Sequence, residues 1–74
     1  MGLLKTVNGA HGNKIEFWTF EHLDKNQIVV HDCDCLMETV YTIGDIRELN
    51  DFEKVKIESF EQVIEAWETG SIWF

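Results

Sequence analysis

Ser59-Phe60-Glu61-Gln62-Val63-Ile64-Glu65-Ala66-Trp67-Glu68-Thr69-Gly70 is the stretch on which the fold turns. Ser59 and Gln62 have the spacing of a capping box. Phe60, Val63, Ile64 and Trp67 then recur at i, i+3, i+4 and i+7, which lines up one apolar face of a helix. Gly70 is a natural stop, because a helix commonly ends on a residue in the left-handed conformation. The pattern predicts one amphipathic helix over 60–69.

Upstream, the chain reads as strands. Leu3 to Val7 is a short apolar run ending in the turn-rich Asn8 to Asn13. Lys14 to His22 and Gln27 to Asp32 are rich in β-branched and aromatic residues, and Leu23 to Asn26 lies between them as a four-residue turn, so the two segments predict a hairpin. Glu38 to Ile43 continues the strand pattern until Gly44 breaks it. Asp45 and Glu48 repeat the capping-box spacing and predict a short helical segment through about Asn50, and alternation around Val55 and Ile57 predicts another brief strand. The tail Ser71 to Phe74 is apolar enough to be expected against the sheet as an edge strand or plug. The resulting expectation is an α+β fold: a small antiparallel sheet of about four strands, with one C-terminal amphipathic helix packed on one face. Residues 1–74 read as a single compact domain without proline or linker-like runs. No segment approaches the apolar length of a membrane span, and the expected location is the cytoplasm.

The formal net charge is −8, and it is unevenly placed. Residues 1–31 balance to zero, so the whole excess lies in residues 32–74. Such a surface repels phosphate backbones and anionic membranes, which argues against direct nucleic-acid or membrane binding and favours a basic protein surface as partner. Glu61, Glu65 and Glu68 form one acidic ridge on the helix, opposite its apolar face. Glu61 and Glu65 repel at i, i+4, and Glu68 sits at the negative end of the helix dipole, each arrangement costing on the order of a few tenths of a kcal/mol. Asp45, Glu48 and Asp51 extend the acidic patch if their segment lies beside the helix, and Trp73 is a candidate aromatic anchor.

In general character, residues 45–68 resemble the small acidic proteins that occupy nucleic-acid-binding surfaces of other proteins: phage-type anti-restriction or anti-CRISPR inhibitors and nuclease immunity proteins. The resemblance is one of composition and carries no diagnostic motif. It implies a non-enzymatic inhibitor-type protein that docks on a nuclease or nucleic-acid-guided effector. The alternative is a small structural or interaction module, homodimeric through an open sheet edge, whose acids serve solubility.

The most chemically loaded stretch is His31-Asp32-Cys33-Asp34-Cys35. In an extended strand His31, Cys33 and Cys35 share one face, but i and i+4 lie about 13 Å apart, too far for one tetrahedral zinc. A third reading, a small zinc-binding protein, requires residues 34–36 to curl into a turn and His11 or His22 to join them. The simpler expectation is no metal and no cofactor, with Cys33 and Cys35 as half-buried hydrophobes at a strand end. Asp32 and Asp34 beside the sulfurs disfavour a thiolate nucleophile. No phosphate-binding glycine motif or nucleophile–base pairing stands out, and His11 reads as a turn residue, so an enzyme is not expected.

Overall fold

The computed structural model describes residues 2–48 and 53–71 of the chain. Four strands, β1 (Gly2–Asn8), β2 (Lys14–Thr19), β3 (Gln27–Asp32) and β4 (Met37–Thr42), form an antiparallel meander in the order β1-β2-β3-β4. Two three-residue strands, β5 (Ile46–Glu48) and β6 (Lys54–Lys56), pair separately, and α1 (Phe60–Thr69) follows. This is the α+β layout that the sequence predicts.

Period-two alternation decides which side chains enter the core. Ile15 and Phe17 from β2, Ile28 and Val30 from β3 and Tyr41 from β4 are fully buried on one face of the sheet. They form one cluster with Ile57, Val63 and Trp67. The helix contributes because its apolar stripe faces the sheet, and its ends are fixed locally. Ser59 Oγ accepts from the Gln62 backbone N–H at 3.2 Å, while Gln62 Oε1 accepts from the Glu58 N–H at 2.6 Å, so the reciprocal bond lands one residue earlier than in a standard capping box. At the other end Gly70 adopts φ 71°, and the Ser71 N–H closes on the Ala66 carbonyl at 2.8 Å.

The expected helix at 45–50 does not form: Ile46 to Glu48 is a strand. Its partners explain why. Ile46, Arg47 and Glu48 pair with Lys56, Val55 and Lys54, which sets Glu48 opposite a lysine. The Asp45 carbonyl accepts from the Ile57 N–H at 2.8 Å, and the Gly44 N–H donates to the Ile57 carbonyl at 2.7 Å. Pairing with a distant segment satisfies backbone groups that a capping box would otherwise use. Arg47 ties this small sheet to the large one, donating to the Val40 carbonyl at 3.1 Å and lying over the Tyr41 ring at 4.8 Å. The first strand of the predicted hairpin is also shorter than expected, ending at Thr19 rather than His22, whereas the second, Gln27–Asp32, has the predicted bounds. Leu49, Asn50 and the tail residues Ile72 to Phe74, for which a helix end and an edge strand are expected, lie outside the described residues. No helix among the described residues is long and apolar enough to cross a membrane.

Candidate functional site

Among the described residues, the cleft between β1 and α1 and the outer face of the sheet combine chemistry with shape.

The cleft begins with an irregularity in β1. Leu3 pairs with Trp18 but Lys5 pairs with Phe17, so Leu4 is an extra residue in a β-bulge. The bulge turns both Leu4 and Lys5 toward the helix. There they line a groove of about 480 Å³ together with Phe60, Glu61, Ile64, Glu65 and Glu68. Its apolar surface comes from Leu4, Phe60 and Ile64, and its acidic wall from the three glutamates of the predicted ridge, all exposed. Lys5 Nζ lies 3.8 Å from Glu68 Oε1, so one of the three carboxylates already has a partner. Glu61 sits in the first turn, where the dipole favours it, and no basic residue relieves the last turn.

The other predicted residues are placed elsewhere. Asp45 is engaged with Arg47, 3.4 Å from its Nη2, and Glu48 faces Lys54 across the small sheet. Neither Asp45 nor Glu48 lines the groove. Asp51 and Trp73 lie outside the described residues.

On the outer face, β2 and β3 place Glu16 opposite His31, with Nδ1 of the histidine 3.5 Å from Oε1 of the glutamate. The ladder runs one step past β3, since the Cys33 N–H donates to the Lys14 carbonyl at 3.0 Å. This keeps Cys33 beside Glu16. One ligand atom from each of Glu16, His31 and Cys33 lies within 4.8 Å of the others, and all three residues are half-buried. Glu16, His31, Trp18, Phe20, Val29 and Glu38 line a shallow depression on this face.

The HDCDC stretch therefore divides by parity. Asp32 points to the core side, 6 % exposed, where it accepts from Asn13 Nδ2 at 2.6 Å and from the Asp34 N–H at 3.0 Å. It ties the β1–β2 loop to the β3–β4 turn. Cys33 to Leu36 do curl into a turn, with Leu36 at φ 57°, but the turn carries Cys35 out to solvent, away from the cluster. The residue that joins His31 and Cys33 is Glu16, not His11 or His22.

Burial raises the Cys33 thiol, and the neighbouring Glu16 carboxylate raises it further by hydrogen bonding and charge; Asp32 is a lesser contributor. The aspartates expected to suppress the thiolate are thus mostly replaced in that role by a cross-strand glutamate. Desolvation pushes Glu16 up, but hydrogen bonds from Cys33 and Trp18, the Lys14 charge and a hydrogen bond from His31 together hold it below its ordinary value. A protonated thiol beside an ionised carboxylate is a resting pair, not an activated nucleophile. Comparison of the chain with protein families, curated proteins and solved structures finds no match.

Proposed function

We propose that this protein is a non-enzymatic binding module whose β1–α1 groove receives a basic, amphipathic segment of a partner protein. The observation that carries the reading is the joint lining of one groove by Glu61, Glu65 and Glu68 with Leu4, Phe60 and Ile64. Apolar side chains of the partner would fill the groove, and its Lys or Arg side chains would meet the acidic wall, which is how charge complementarity and a desolvated anchor combine in specific recognition. Glu61 and Glu65 repeat every ~6 Å along the helix, from ~1.5 Å rise per residue over four residues, close to the spacing of backbone charges that a nucleic-acid-binding surface is built to meet. A partner of that class would be blocked from its nucleic acid while the groove holds it, which is the inhibitor-type role the composition suggests.

The test is a titration of a synthetic peptide that alternates Lys or Arg with Leu, followed by calorimetry at low and at physiological ionic strength. Wild type should bind, and binding should weaken as salt screens the pairs over ~8 Å. Glu61→Gln with Glu65→Gln leaves the Lys5–Glu68 pair in place and should weaken binding by about tenfold, ~1.4 kcal/mol. Equal affinity of the double variant would remove the groove from consideration. A competing reading, self-association, is favoured by the edge of the sheet at β1, which has no further strand beside it among the described residues and where Leu3 and Leu4 are 48 % and 49 % exposed. Sedimentation of the protein alone as a concentration-dependent dimer, without peptide binding, would establish it instead.

A further inference from the structure

We infer that the outer face of the sheet carries a zinc-type divalent cation site formed by Glu16, His31 and Cys33, with one coordination position left to solvent. The site is separate from the groove and independent of what the groove binds.

Geometry comes first. A cation at the centre of a triangle with 4.8 Å sides lies about 2.8 Å from each corner, against ~2.0–2.3 Å in a formed zinc site, so each donor has about half an ångström or slightly more to close. That is within side-chain torsion and needs no backbone movement. The Glu16–His31 separation, 3.5 Å, is already near the ~3.3 Å between two ligands of a tetrahedral ion. The donors stand on adjacent, hydrogen-bonded strands, which fixes their backbones before any metal arrives.

Donor chemistry then selects the ion. A carboxylate, an imidazole and a thiolate are a borderline-to-soft set that suits zinc and discriminates against magnesium and calcium, which take oxygen ligands. The carboxylate and the thiolate together carry two negative charges, which match a dication. Glu38, opposite His31 on β4 and lining the same depression, adds a further carboxylate to the local field. Trp18, two residues along β2 on the same face, lines this depression beside Glu16 and walls one side of the site. One group opposes binding: Lys14 Nζ is 3.9 Å from Glu16 Oε2, but its side chain is 58 % exposed and can swing into water. On binding, the sulfur–metal bond forms as the sulfur–hydrogen bond breaks and the Cys33 proton leaves to solvent. One proton released per ion makes apparent affinity rise with pH, by about tenfold per unit while the thiol is protonated.

Cobalt(II) is the probe, added to the full chain under a non-chelating reductant. Wild type should bind one equivalent, with thiolate-to-cobalt charge-transfer absorption in the near ultraviolet and tetrahedral d–d bands in the visible. Zinc should abolish both signals by displacement; excess magnesium or calcium should leave them. Cys33→Ser should remove the charge-transfer band. Glu16→Gln and His31→Gln should weaken binding by more than the roughly 10–100-fold that loss of an outer-shell partner costs. Cys35→Ser should change nothing, and circular dichroism of each variant confirms that the sheet is intact. No charge-transfer band in wild type, a band that survives Cys33→Ser, or one that disappears in Cys35→Ser would each overturn the assignment.

Discussion

Replacing Trp67 by alanine should cost this protein most of its stability. Trp67 is 7 % exposed and belongs to the cluster that joins the helix to Ile15, Phe17, Ile28, Val30 and Tyr41. Truncating a buried tryptophan costs about 3–5 kcal/mol through lost transfer energy and an unfilled cavity. A chain of 74 residues has a total stability of only about 4–11 kcal/mol. Urea unfolding followed by far-ultraviolet circular dichroism reads the loss. With a slope of about 1 kcal/mol per molar, the midpoint should fall by roughly 3 M or more, or the variant should be unfolded without urea. Trp67→Phe keeps much of the apolar volume and should therefore cost less than Trp67→Ala. Midpoints within error of wild type for Trp67→Ala would refute both the packing of α1 on the sheet and the register of its apolar face.

Two further outcomes follow from single groups. Burial raises the Tyr41 phenol above its ordinary 10.0, with Trp67 and Arg47 offsetting only part of this; the folded state therefore holds the proton more tightly, its stabilisation is intact below pH 10, and it is lost as pH rises through the folded-state value. Because Tyr41 is the chain's single tyrosine, tyrosinate absorbance should appear above pH 10 and track loss of structure; ionisation at pH 10 with an unchanged fold would contradict its burial. Gly70→Ala places a side chain at φ 71° and its Cβ 2.9 Å from that of Ala10, so it should cost at least about 1–2 kcal/mol by urea midpoint, and Ala10→Gly should restore part of the loss.

The helix and the faces of the main strands were legible because they rest on local periodicity: Ser59, Gly70 and the Phe60–Trp67 stripe need no distant partner to be read. The segment 45–48 was not, since its fate depends on Lys54 to Lys56, and the same residues satisfy a capping box or a short β-ladder equally well. The hairpin shows the boundary between the two cases. A four-residue turn at 23–26 would set His22 opposite Gln27, whereas the pairing observed, Trp18 with Val29, is displaced by two residues. An even displacement preserves faces, so Glu16, His31 and Cys33 share a side in either register. What the sequence left open was which of them touch. The groove was hidden for a different reason: the bulge at Leu4 leaves no mark in composition, yet it is what turns two consecutive β1 side chains toward the helix.

All six strands among the described residues precede the helix in the chain, and this order governs how the protein is made. A ribosome releases Ile15, Phe17, Ile28, Val30 and Tyr41 well before Val63 and Trp67, the residues that cover them. At about 5–20 residues per second, the interval between Tyr41 and Trp67 is roughly one to five seconds, long beside the microseconds a hairpin needs to form. The nascent sheet thus waits with its apolar face uncovered, and its first 31 residues have no net charge to keep neighbouring chains apart. Chaperones that hold apolar nascent segments would act in this interval, and yield in the cell should depend on them more than the stability of the finished fold suggests.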